Sequence, residues 1–224
     1  MSSKNVGIQM ILVPTGAESR AVKQALKRVL EPPPIVEIPA GPQAVKRFLQ
    51  AWKDPQIFQS GRVLLLGLGG SLSPDLGVGD GVLVERVFEA SSSEVYECDR
   101  ILTTQISAQL GVPIGVGVTC DRVITTATEK WQLRDRYDAD VVDMEAAALL
   151  KELSDCKIAI LRVISDDCHH DLPDISGAIG SDGSIKVAPT ILSFLRKPRA
   201  ALQLVQGSLK GLKALEDMTN SLFS

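Results

Sequence analysis

Residues 62–71 read RVLLLGLGGS, a strongly apolar segment that passes directly into Gly67-Leu68-Gly69-Gly70-Ser71. The apolar part, Arg62 to Leu66, is a β-strand, and the glycines after it form a loop. The same alternation of apolar runs and breaks extends on either side. Upstream, Gly7 to Val13 (GIQMILV) is a buried strand interrupted by Pro14-Thr15-Gly16. Ala17 to Leu30 then places Ala21, Val22, Ala25, Leu26 and Val29 at helical spacing. Pro32-Pro33-Pro34 stops that helix, because proline lacks an N–H and restricts the residue before it. Ile35 to Ile38 is a short strand, and Gly41-Pro42 opens a second helix with Val45, Phe48, Leu49 and Trp52 on one side.

Downstream, Gly79-Asp80-Gly81 is a turn and Val82 to Val87 a strand. Arg100 to Leu110 is helical, Ile114 to Thr119 a strand, Thr126 to Arg136 a helix, and Val141-Val142 the end of a short strand. Met144 to Leu153 is a helix rich in alanine and leucine, both good helix formers. Lys157 to Ile164 is the last clear strand. Asp166 to Gly183 is a polar loop broken by glycine and proline, and two helices split at Pro198 finish the chain. Strands alternating with helices indicate an α/β layered domain. The chain of 224 residues suits a single such domain, 1–224, with a helical tail from about residue 198.

A formal net charge of −3 argues against a nucleic-acid protein, which would need a basic face to neutralise phosphates. No apolar run is long enough to span a bilayer, and the polar start from Met1 to Asn5 lacks a signal-peptide core. Cys98, Cys120, Cys156 and Cys168 form no C-x-x-C pair, so they are expected to be reduced thiols of a cytoplasmic protein.

In open α/β sheets, ligands bind beyond the carboxyl ends of the strands. Those ends carry Thr15-Gly16-Ala17-Glu18, the glycine loop, Cys120-Asp121-Arg122, Asp143-Met144-Glu145 and Ser165-Asp166-Asp167. Carboxylates gathered at one sheet edge suit proton transfer, hydroxyl recognition or metal binding, and they shift one another's proton affinity. The glycine loop offers backbone N–H groups for an anion. It lacks the Gly-Lys-Ser/Thr of a P-loop, and Leu72 replaces the third glycine of a dinucleotide fingerprint. Asp166-Asp167-Cys168-His169-His170-Asp171 has the residue types of a transition-metal site. They crowd into one short segment without a helical histidine pair, so a solvated loop without metal is the expectation. Asp143 is read as a helix N-cap.

Three motifs together resemble the purine nucleoside phosphorylase/uridine phosphorylase superfamily, which includes the methylthioadenosine/adenosylhomocysteine nucleosidases. They are Gly69-Gly70-Ser71-Leu72-Ser73-Pro74-Asp75-Leu76-Gly77-Val78-Gly79-Asp80, Val142-Asp143-Met144-Glu145-Ala146-Ala147-Ala148, and Arg162-Val163-Ile164-Ser165-Asp166. The resemblance implies a three-layer sandwich around a mixed, mainly parallel sheet. It also implies cleavage of the N-glycosidic bond of a purine nucleoside, with adenine as the expected base, by hydrolysis or phosphorolysis.

On that resemblance, Asp166 is the acid that protonates the purine and Ser165 holds it. Glu145 binds the ribose hydroxyls, Met144 packs on the sugar, and Val123 and Ile124 contact the base. Glu18 is the base that activates water, and Gly69 and Gly70 line the substrate site. No cofactor is implied, and phosphate is a possible co-substrate. The sequence shows no clear match to the family's phosphate-binding arginine. Ser71 and Leu68 replace a glycine and a serine that are usual there.

Asp171-Leu172-Pro173-Asp174-Ile175, Asp182-Gly183 and the Pro198 tail resemble the hopanoid-associated phosphorylase branch. A homo-oligomer is expected, its pockets completed across subunits. In the tail, Leu202, Val205, Leu209, Leu212 and Leu215 form an apolar helical stripe for packing, or alternatively for contact with a membrane. Two other readings stay open, a noncatalytic nucleoside- or adenine-binding protein of the same fold and a metal-dependent hydrolase.

Overall fold

The computed structural model describes residues 6–52, 61–173 and 198–224. The strands are β1 (Met10–Pro14), β2 (Ile35–Ile38), β3 (Arg62–Ser71), β4 (Gly81–Glu89), β5 (Val95–Glu97), β6 (Ile114–Thr119), β7 (Val141–Asp143) and β8 (Lys157–Asp166). The helices are α1 (Ala17–Leu26), α2 (Pro42–Ala51), α3 (Arg100–Leu110), α4 (Ala127–Tyr137), α5 (Ala146–Glu152) and α6 (Pro198–Phe223).

All eight strands join one mixed, mainly parallel sheet in the order β2-β1-β3-β7-β6-β4-β5, with β8 paired to both β3 and β4. The β3–β8 and β4–β6 ladders are parallel, whereas β3–β7 and β4–β8 are antiparallel. The pairings β3–β7–β6–β4–β8–β3 therefore close a circuit. This brings the carboxyl ends of β3, β7 and β8 together, which is what positions the site.

The central strands are apolar along their length because both faces are covered. In β3, Val63 and Leu65 join a core with Val45 and Leu49 of α2 and Ala146–Leu150 of α5. Leu64 and Leu66 face the opposite core, with Val22 and Leu26 of α1, Leu102 and Ile106 of α3, and Leu215 and Leu222 of α6. Helices thus cover both sides of the sheet, the three-layer arrangement expected. A third cluster sets Leu133 and Tyr137 of α4 against Val116 and Val118 of β6.

Four expectations are corrected. Gly67–Ser71 is not a loop but the second half of β3, in register with β8. Helix α1 stops at Leu26, and Leu30 beyond it is 96 % exposed. Helix α5 begins at Ala146, so Met144 and Glu145 precede it. In α6 the packed face is Ala201, Gly207, Gly211, Leu215, Thr219 and Leu222; the upper part of the expected stripe, Leu202, Val205 and Leu209, is exposed. Strand β5 carries no sequence signal of its own and pairs with β4. The helix expected before Pro198, and Asp174, Ile175, Asp182 and Gly183 of the narrower motif, lie outside the described residues.

Candidate active site

A cleft of about 210 Å³ opens at the converging strand ends. Its lining includes Glu18, Gly69, Gly70, Val123, Ile124, Met144, Glu145, Ser165 and Asp166, so every site residue expected from the sequence meets there. Pro14, Ala40, Leu68, Arg122, Val142 and Asp143 complete it.

The acid side is built from the end of β8. Ser165 Oγ donates to Asp166 Oδ1 at 2.7 Å and lies 3.3 Å from the Gly69 carbonyl, which pins the carboxyl between two strands. The other oxygen, Oδ2, accepts from Lys130 Nζ, which also donates to the Asp167 carbonyl. Lys130 lies on α4, and its side chain is completely buried.

The opposite side is a carboxylate cluster around Arg162, a fully buried guanidinium in the middle of β8. Its Nε and Nη2 donate to Asp143 Oδ2 at 2.9 and 2.5 Å, and Nη2 reaches Glu145 Oε2 at 3.2 Å. Glu145 Oε1 accepts the Gly41 N–H at 3.2 Å. Each Glu145 oxygen retains a lone pair for a ligand hydroxyl. Burial raises the Glu145 pKa, while Arg162 opposes the rise. Asp143 does cap α5 weakly through the Ala146 N–H, but it also anchors Arg162 and accepts from Thr119 Oγ1 at 2.5 Å.

Glu18 projects from the first turn of α1 and accepts the Leu68 N–H at 2.6 Å. Desolvation pushes its pKa up to about 7. The Leu68 hydrogen bond and Arg162 pull it down, and the charge of Glu145 adds to the rise. A carboxyl poised near neutrality suits a general base.

The glycines provide clearance for the side chains around them. A Cβ on Gly67 would fall 2.3 Å from Arg162 Nη1 and 2.9 Å from Glu18 Oε1. A Cβ on Gly69 would fall 2.7 Å from Val141 Cγ2. The arginine of the cleft lining, Arg122, is engaged by a carboxylate, its Nη1 donating to Glu129 Oε2 at 3.1 Å; the buried Arg162 uses Nε and Nη2 on Asp143 and Glu145, while its Nη1 has no hydrogen-bond partner.

Sequence reasoning assigned no role to Lys130 and used Arg162 only as a motif letter. Arg162 left a readable trace, a charge inside the apolar run KIAILRVI that burial obliges to pair. Lys130 left none, because it sits among Glu129, Arg134 and Arg136 on a polar helix. In the segment after Asp166, His170 Nδ1 lies 2.9 Å from both Asp167 oxygens. No three His, Cys, Asp or Glu side chains converge into a metal cage among the described residues.

The fold and cleft define an α/β protein whose acidic cleft lies at the converging carboxyl ends of its strands. The chain superposes on Helicobacter pylori futalosine hydrolase with a TM-score of 0.67 at 14 % identity, over 95 % of both chains. With H. pylori 5′-methylthioadenosine/S-adenosyl homocysteine nucleosidase the TM-score is 0.63 at 17 % identity, over 95 % of this chain and 98 % of that one. The corresponding nucleosidase of S. pneumoniae gives 0.61 at 17 % identity, over 92 % and 98 %. No curated protein sequence matches the chain. The family profile described as the phosphorylase superfamily matches residues 35–178. The chain belongs to that superfamily and is an enzyme of the group that acts on nucleosides.

Proposed function

We propose that this protein hydrolyses the N-glycosidic bond of a purine nucleoside, with adenine as the preferred base and water as the nucleophile. The observation that carries the reading is the meeting of Glu18, Glu145 and Asp166 in one cleft, with Glu18 poised near neutrality. Breaking the C1′–N9 bond builds positive charge on the ribose and negative charge on the base. Asp166 supplies a proton to the purine, Glu145 accepts the ribose hydroxyls and faces the cationic sugar, and Glu18 takes a proton from water. Ser165 orients Asp166, Met144 packs against the sugar, and Val123 and Ile124 flank the base. Hydrolysis is favoured over phosphorolysis because Arg122, the arginine of the cleft lining, is bound to Glu129 and the glycine run is a strand. The reaction so written needs no cofactor or metal.

No helix among the described residues is long and apolar enough to cross a membrane. From the cysteine pattern and the family resemblance, we place the protein in the cytoplasm as a homo-oligomer, most simply a two-fold dimer. Incubation with adenosine, inosine, 5′-methylthioadenosine, S-adenosylhomocysteine and futalosine, with and without phosphate, tests the reading. Free base with free sugar in phosphate-free buffer is the expected result. Ribose 1-phosphate, formed only with phosphate, would reassign the protein as a phosphorylase. Tight adenine binding without turnover of any of these would make it a binding protein.

A further inference from the structure

We propose that Lys130 is a positioning residue for glycosidic cleavage, acting through Asp166 by holding the carboxylate that proton transfer to the base leaves behind. The proposal rests on the nucleosidase reading above and adds to it a residue from outside the cleft lining.

The placement is built, not incidental. Residues that follow β8 are strapped to the start of α4. The Ala127 N–H donates to Asp171 Oδ1 at 2.9 Å, and the Leu172 N–H donates to the Thr125 carbonyl at 2.7 Å. This clamp turns Lys130 inward, where Nζ meets Asp166 Oδ2 and the Asp167 carbonyl. The same clamp joins Asp166 to Val123 and Ile124, which precede α4 and line the cleft.

Stability does not account for the residue. Its ammonium is removed from water entirely, a cost that a pairing in the interior offsets at best, and an apolar side chain of similar length would fill the same space. The chemistry does account for it. When the C1′–N9 bond breaks, its electron pair goes to the base, and a proton carried on Asp166 Oδ1, the oxygen not bound by Lys130, passes to a base nitrogen. Water bonds to C1′ and gives its proton to Glu18. Full negative charge then rests on Asp166, one of whose oxygens already bears the Lys130 ammonium. In a poorly hydrated site that charge pairing is stronger than in bulk water, and it grows as the proton leaves. Lys130 thus assists only substrates whose leaving group needs a proton.

The test compares wild type, Lys130→Met and Lys130→Arg on the purine nucleoside that wild type cleaves best and on 4-nitrophenyl β-D-ribofuranoside, whose phenolate departs unprotonated. In Lys130→Met, kcat on the purine nucleoside should fall ~10–100-fold with KM within about twofold, while the nitrophenyl riboside changes less than about threefold. Lys130→Arg, which keeps the charge, should recover most of the loss. Equal losses on both substrates, or no loss on either, would overturn the proposal.

A double variant covers the case in which Lys130→Met alone does not fold, since it leaves no uncompensated charge. Asp166→Asn with Lys130→Met should cleave the purine nucleoside no more slowly than Asp166→Asn alone, and a further loss sinks the idea. Wild type inactive on every nucleoside would remove the nucleosidase reading and this proposal together. Active wild type with an unaffected Lys130→Met would remove this proposal alone.

Discussion

At the scale of single residues, the cleft divides its work by environment. Asp166 is held by a serine and a lysine, Glu145 by an arginine and a backbone N–H, and Glu18 by one backbone N–H in a desolvated setting. Asp166→Asn should lower kcat by ~10²–10⁴, the usual worth of a general acid, and should also lower stability, because the buried Lys130 ammonium loses its carboxylate. Steady-state assays on the best purine nucleoside, with circular dichroism for the fold, decide it, and near-wild-type turnover would reassign the acid.

Glu18 gives a pH signature of its own. As a base it must be ionised, so kcat/KM should drop about tenfold per pH unit below its pKa of about 7. The stability trend runs the opposite way. The folded pKa lies above the ordinary carboxyl value of 4.5, so the native state holds a proton that the unfolded chain releases, and stability declines as pH rises from 4.5 to about 7. Glu18→Gln removes that decline and keeps the Leu68 hydrogen bond. The variant should be inactive in hydrolysis yet more stable than wild type at pH 8, by on the order of 2 kcal/mol given the partial exposure of the side chain. Urea melts at pH 5 and pH 8 measure this, and an identical pH trend in both proteins would contradict it.

At the scale of elements, β3 is the component on which the site depends. Its first half is an ordinary buried strand, and its second half remains in the sheet only because glycine leaves room for Arg162, Glu18 and Val141. Gly67→Ala should therefore displace the guanidinium or the Glu18 carboxyl, both held by fixed partners. A loss of ~1–3 kcal/mol is expected, in the range of an overpacked core. Activity should fall further than stability alone would explain, because Glu18 lines the cleft and Arg162 holds the lining residue Glu145. A variant with unchanged melting temperature and turnover would mean that Arg162 has room to move. Asp143 illustrates why elements resist prediction one at a time. As a local signal it is a helix cap, yet across the sheet it becomes the anchor of Arg162.

At the scale of the whole molecule, α6 closes the layer over β8. Glycines at positions 207 and 211 bring it against the Ser165 and Ile164 carbonyls, where added Cβ atoms would lie 2.2 and 3.1 Å away. Leu215 and Leu222 are 0 % and 5 % exposed. Each such leucine contributes ~1.5–3 kcal/mol by leaving water. Deleting residues from Pro198 onward should lower the melting temperature sharply and reduce turnover of soluble nucleosides. Retained soluble activity with loss of liposome binding would instead favour membrane contact through this helix. The outward side of α6 carries Leu202, Val205 and Leu209 at 58 %, 42 % and 63 % exposure. Such a row suits a subunit contact, and we expect a homodimer by sedimentation at micromolar concentration, dissociated by Leu209→Lys. A fully active monomer would rule this out.

Much of this was legible along the chain. The order and type of most elements follow from apolar periodicity and from proline and glycine breaks, because these act over a few residues. Six of the nine expected cleft residues, Gly69, Gly70, Met144, Glu145, Ser165 and Asp166, lie in the three short motifs; Glu18, Val123 and Ile124 came from the wider family resemblance. What the chain could not show was what each residue meets across the sheet. Gly67–Ser71 reads as a loop until β7 and β8 pair on either side of it. Lys130 reads as a surface lysine until α4 is clamped to the residues after β8. The apolar stripe of α6 turns outward along its upper part because two glycines, which permit the closest backbone approach, select the packed face instead. Sequence by itself determined most of the segments that form strands and helices and which carboxylates end those strands. Only tertiary structure decided which charges are buried and paired, because pairing depends on distances between segments tens of residues apart.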